Sequence, residues 1–146
     1  MREIYVEKQF QKFRKLVVAT KFSQVYNGIA DVVLGMSSSI SLRLLFWIME
    51  KMDDNNFVVF RKAEKLEFIY ECYKAGSEKK SISSINRSVK ELVDKGLMVS
   101  INNEGERLGK FFVNPGYFWK SKNQHERSKR IKEYYEYLKF KTNEAN

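Results

Sequence analysis

Apolar positions recur at helical spacing in several stretches of the chain, and short β-branched or aromatic runs separate them. Arg14 to Ala19 contains Leu16-Val17-Val18 and reads as a strand. Between Tyr26 and Leu34, Ile29, Val32 and Val33 fall on one face of a short helix, and Gly35 is expected to end it in the left-handed conformation. Ser37 to Ser39 supplies hydroxyls that can accept from the free amides of a first helical turn. The following helix, Ile40 to Met52, carries Leu44, Leu45, Ile48 and Met49 on a broad face. Asp53-Asp54-Asn55-Asn56 is turn chemistry, and Phe57 to Phe60 is a short strand or extended link. Lys62 to Lys74 predicts a helix that presents Leu66, Ile69, Tyr70 and Tyr73 with the right period, closed by Gly76.

After the polar link Ser77 to Lys80, Ser81 to Lys95 has the clearest helical period. Ile82, Ile85, Val89, Leu92 and Val93 line one face, and Gly96 ends the element. Leu97 to Ile101 and Leu108 to Val113 are strand-like, and the Asn- and Gly-containing stretch Asn102 to Glu106 joins them as a hairpin. Asn114-Pro115-Gly116 stops the sheet, because proline has no amide to donate, and an aromatic cluster, Tyr117-Phe118-Trp119, follows. Residues 126–141 form a last amphipathic helix with Ile131, Tyr134, Tyr135 and Leu138 as its stripe. Left in water, that stripe would be an apolar patch, so it is expected to pack on a partner, most simply a second copy in a homodimer. The alternative is that it folds back near Tyr117 to Trp119.

The order helix, short strand, helix, helix, hairpin is that of a winged helix-turn-helix. The chain is thus expected to be α+β and mainly helical, with an extra C-terminal helix. Residues 1–13 form an N-terminal extension, 14–120 the winged-helix domain, and 121–146 the basic C-terminal helix and tail. No internal repeat is visible.

Charge changes the picture from fold to partner. The 146 residues carry 27 basic and 18 acidic side chains, a net charge of +9. Residues 37–76 hold six of each sign and are about half apolar, whereas 1–36, 77–120 and 121–146 are each net +3. The excess therefore lies outside the expected core, where a polyanion can reach it. A helix fits the major groove of B-DNA, which makes Ser81 to Lys95 the candidate recognition element. Asn86 suits adenine and Arg87 guanine, each through two bonds to one base edge. Ser81, Ser83, Ser84 and Lys90 suit phosphates, and Lys79 and Lys80 stand just before the helix N-terminus, where amides and dipole also favour phosphate. On the hairpin, Arg107 and Lys110 are the candidate contacts to the neighbouring groove or backbone, opposed by Glu104 and Glu106 at the tip.

Four pieces of the chain carry a family resemblance. They are Leu34-Gly35-Met36-Ser37-Ser38-Ser39, then Leu44 to Asp53 (LLFWIMEKMD), then Ile82 to Leu97 (ISSINRSVKELVDKGL), and Phe112 to Lys120 (FVNPGYFWK). From about Arg14 to Lys120 the chain resembles the RepL-type replication proteins of small bacterial plasmids. The third piece is shared by many winged-helix regulators. The wing followed by Asn-Pro and then Phe-Trp-Lys is more specific to the replication group. Before Ser81 the polar link Gly76 to Lys80 departs from that group's usual helix-turn spacing. The resemblance implies a plasmid replication initiator that binds origin repeats in double-stranded DNA and recruits host replication proteins. A winged-helix transcriptional regulator and a winged-helix protein-interaction module are the alternatives.

Catalytic readings find little material. The single histidine, His125, sits among Lys122, Arg127, Lys129 and Arg130, and the single cysteine, Cys72, falls on a helix with apolar neighbours, so a Cys-His nucleophile pair is not expected. A nicking initiator would need a histidine pair to hold its metal, and there is no Gly-x-x-x-x-Gly-Lys phosphate loop. Asp53 and Asp54 read as turn and cap residues rather than metal ligands. No enzyme activity, cofactor or metal is therefore expected. No stretch reaches the roughly 18 apolar residues of a membrane span. The charged stretch Arg2 to Lys15 lacks the apolar core of a signal peptide, so a cytoplasmic location is expected.

Overall fold

The computed structural model describes residues 24–103, 106–121 and 123–145. In chain order the elements are β1 (Gln24–Val25), α1 (Ile29–Leu34), α2 (Ser39–Lys51), β2 (Phe57–Val59), α3 (Lys62–Lys74), α4 (Ile82–Asp94), β3 (Met98–Asn103), β4 (Glu106–Val113), β5 (Phe118–Trp119) and α5 (Gln124–Ala145). The fold is α+β and mainly helical. The strand-like run Leu16 to Val18 and the tip residues 104 and 105 lie outside the described residues.

Local chemistry accounts for the boundaries. The Ser38 hydroxyl accepts from the Ile40 amide at 3.2 Å and starts α2. Asp53 Oδ1 accepts from the amides of Asn55 and Phe57, at 2.8 and 3.0 Å, and so builds the turn into β2. Asn56 completes that turn at φ 67, a left-handed conformation that asparagine tolerates better than most residues. Its side chain is fully buried and donates to the carbonyls of Val113 and Phe118, at 3.2 and 2.8 Å, tying the turn to the sheet and to β5. Gly35 differs from the sequence expectation. It ends α1 at φ −85, in a tight turn where its amide reaches the Val32 carbonyl, and the left-handed glycine of this helix is Gly28 at its start, φ 96.

Strands β2, β4 and β3 form an antiparallel sheet in that spatial order, and β1 pairs with β5 beside it. The register sets Phe57 and Val99 opposite Phe112, and Phe111 opposite Ser100. Because neighbouring residues on a strand face opposite ways, the sheet has two working faces. Phe111, Val113 and Met98 join the main core, with Leu44 and Ile48 of α2, Phe68 of α3, and Ile85 and Leu92 of α4. Phe112, Val99 and Ile101 face the other way and meet Tyr134 of α5. The ring of Tyr134 stands edge-on to Phe112 at 5.5 Å, and its hydroxyl donates to the Gly96 carbonyl at 3.2 Å.

Two expected stripes are therefore corrected. On α3, Phe68 and Ile69 are buried, while Leu66, Tyr70 and Tyr73 are exposed. Of the expected set only Ile69 goes inward, because the core takes the Phe68 side of the helix. On α5, Tyr134, Tyr137 and Leu138 pack on the molecule's own sheet and Tyr135 points outward, so the stripe is not left for a partner. The physical reason is the apolar back of the sheet, Phe57, Val99, Ile101 and Phe112, which needed a cover of its own.

The piece Asn114 to Lys120 is built into the scaffold. Asn114 donates to the Gly96 carbonyl at 2.9 Å and accepts from the Gly116 amide at 2.8 Å. Trp119 is fully buried. Lys120 Nζ donates to the carbonyls of Glu50 and Met52, at 2.9 and 2.7 Å, and satisfies the end of α2. Arg127 of α5 reaches back to the carbonyls of Pro115 and Gly116 and lies over the Tyr26 ring at 3.5 Å.

Candidate nucleic-acid interface

The candidate helix α4 is anchored by its apolar face. Ile85 and Leu92 are fully buried, and Ile82, Val89 and Val93 pack against the same core. The Ser81 hydroxyl accepts from the Ser84 amide at 3.1 Å, so this serine acts as the N-cap. Gly96 closes the element at φ 75, a conformation that favours glycine. With both ends fixed, the rotation of the helix is fixed too. Ser83, Asn86, Arg87 and Lys90, spaced i, i+3, i+4 and i+7, form one exposed row.

The row is not uniform. Lys90 pairs with Asp94 one turn on, at 2.8 Å, and both are well exposed. The hydrogen bond it donates to the Asp94 carboxylate holds the Lys90 ammonium above its usual pKa. This neutralises the C-terminal half, so the positive excess sits at the N-terminal half. There Lys79 is exposed and Lys80 half-buried. Arg43 of α2 joins them, donating to the Ser77 hydroxyl at 3.1 Å in the α3–α4 link. Burial pushes the nearby Cys72 thiol above its usual pKa, while Arg43 and Lys80 pull it down and Glu71 raises it. Arg43 escaped the sequence reading because only the packing of α2 across the link brings it there.

Ser84 sits differently from expectation. It is half-buried and lines a hollow of about 250 Å³ between α4 and the start of α2, with Arg87 and Glu91 at its edge. The Glu91 carboxylate accepts from the Ser37 hydroxyl and from its amide at 3.3 Å. The Ser37 hydroxyl bond holds the Glu91 carboxyl below its usual range. An acid of the chain itself thus occupies the N-terminal end of α2.

Lys110 is not brought to this face. Its register partner is Ile101, so it shares the sheet face with Phe112 and α5, and its ammonium rests over the Phe57 ring at 4.8 Å. Lys110, expected on the hairpin as a contact to the neighbouring groove or backbone, thus lies on the sheet face that α5 covers. The Arg107 backbone pairs with Asn102 in the hairpin, and its side chain lies outside the described residues. The pairing register shifts between Ile101 and Asn102, with Gly109 at φ 60 on the facing strand.

His125 is exposed, and Cys72 packs on the core from α3. Among the described residues, no group of three or more His, Cys, Asp or Glu could hold a metal ion. No helix among them is long and apolar enough to cross a membrane. No family model, curated protein or solved structure matches the chain.

Proposed function

We propose that the chain is a winged helix-turn-helix protein that binds double-stranded DNA, with α3 and α4 as the helix-turn-helix and β3–β4 as the wing. One observation carries this reading. Helix α4, held to the core by Ile85 and Leu92, also exposes Asn86 and Arg87 side by side, with cations clustered at its N-terminal end. The element order α2, β2, α3, α4, β3, β4 and the sheet order β2-β4-β3 support it. Asn86 and Arg87 read base edges, and Lys79, Lys80 and Arg43 hold phosphates.

Within that class, the resemblance to RepL-type proteins favours a plasmid replication initiator that binds origin repeats and recruits host replication proteins. The Asn114 to Lys120 piece, its most specific part, acts through the scaffold rather than through contact with DNA. Footprinting on DNA flanking the gene tests both levels. Protection of repeated sites within an origin supports the initiator, and protection of an operator at a promoter favours a transcriptional regulator. No affinity for any duplex at low salt overturns DNA binding altogether and leaves the protein-interaction module.

A further inference from the structure

The outer face of α3 leaves three large apolar side chains in water. Leu66, Tyr70 and Tyr73 are 49%, 62% and 59% exposed, all within two turns of one helix. At 100° per residue they fall in a sector about 60° wide, facing away from buried Phe68. Their spacing of four and then three residues is that of a coiled-coil seam. Glu67 and Lys74 each follow a seam residue, Leu66 and Tyr73, and so lie on the same flank.

We propose that this face binds a second copy of the chain, with the two α3 helices antiparallel about a two-fold axis near Tyr70. The sequence of α3 is self-complementary about that axis. Leu66 and Tyr73 stand almost equally far from Tyr70, on either side, so each meets the other across the axis. Glu67 and Lys74 are placed in the same way, so both flanking contacts are ion pairs of opposite sign. A parallel pairing loses this match, because that flank would then meet the opposite one, which carries Lys65, Ile69 and Cys72 and offers Lys74 no carboxylate. A nucleic-acid occupant is disfavoured by Glu67 at the edge of the stripe. The present partner of Glu67 does not forbid re-pairing. Lys51 lies 3.7 Å away, and both side chains are about half exposed, a geometry that holds weakly. Two turns of seam make a small interface, so the dimer is weak and depends on concentration. The proposal stands independently of DNA binding.

Sedimentation of the full chain without DNA, from about 5 to about 500 μM, tests it over the range where a weak dimer dissociates. The wild-type chain is expected to pass from monomer to dimer. Tyr70→Glu, on an exposed position, is expected to keep the helical circular dichroism and raise the dissociation constant at least about tenfold. Lys74→Glu is expected to weaken the dimer by a similar factor without touching the Lys51–Glu67 pair. The double variant Glu67→Lys with Lys74→Glu is expected to recover wild-type association, because it restores opposite charges across the axis. A chain that stays monomeric throughout overturns the proposal. So does a dimer indifferent to Tyr70→Glu, and a double variant no stronger than the single one overturns the antiparallel pairing.

Discussion

Helices α3 and α4 are neighbours, each thirteen residues long, and they divide their surfaces in opposite ways. In α4 the apolar residues gather on the core side and the outer face is wholly polar. In α3 Phe68 and Ile69 go inward while Leu66, Tyr70 and Tyr73 remain in water. The same fold thus offers two kinds of surface a few residues apart. A polar, cation-bordered face is stable alone and free to take a polyanion. An apolar face gains by being covered. The difference teaches that the quality of a helical period says which helix is anchored, and the leftover face says what kind of partner it takes.

The largest expected effect concerns the polar side of this contrast. If α4 and its flanking cations neutralise about six phosphates, duplex affinity falls by about 10³ between about 50 and about 200 mM salt. A fluorescence anisotropy titration with no salt slope would break the electrostatic assignment.

The contrast also has a stability version. Ile85→Ala, at a fully buried site of α4, is expected to cost about 2–5 kcal/mol in urea unfolding. Leu66→Ala on α3 is expected to change stability by less than about 0.5 kcal/mol in dilute monomer. Similar losses at the two sites would show that α3 is anchored through Leu66 after all.

Base reading should be confined to the middle of the α4 row. Arg87→Ala is expected to cost about 1–3 kcal/mol at the cognate site and little on random DNA. Lys80→Ala should weaken both alike, and Lys110→Ala should weaken neither, since its ammonium lies over Phe57 on the far face of the sheet. Equal losses for Arg87→Ala on cognate and random DNA would move base reading elsewhere.

The smallest effect lies in α5, which covers the sheet as α4 does from the other side. Burial pushes the Tyr134 hydroxyl well above its usual pKa. Its folded pKa is raised, so the neutral form stabilises the protein fully below the unfolded pKa of about 10, and that stability is lost as pH rises beyond it. Tyr134→Phe is expected to cost about 1 kcal/mol at neutral pH, through the lost bond to the Gly96 carbonyl, and to blunt the alkaline loss. An unchanged alkaline limb in that variant would assign the loss to other groups.

The sequence alone determined where most described helices and strands lie, because caps, turns and periods act over a few residues. Ser38, Ser81 and Gly96 punctuate the chain by local geometry. The α4 face was equally legible, since five apolar residues at one period allow a single orientation. What only the tertiary structure decided was which of two apolar faces of a helix goes inward, and what covers the back of the sheet. On α3 both the Leu66–Tyr73 side and the Phe68–Ile69 side satisfy a helical period, and only packing against α4 and the sheet selects the second. On α5 the choice between a partner and its own sheet depended on Phe57, Val99 and Phe112 sharing one face, a fact of strand register. Register also carried Lys110 away from α4, and helix packing brought Arg43 to it. Both are contacts between residues far apart in sequence, which no local period encodes.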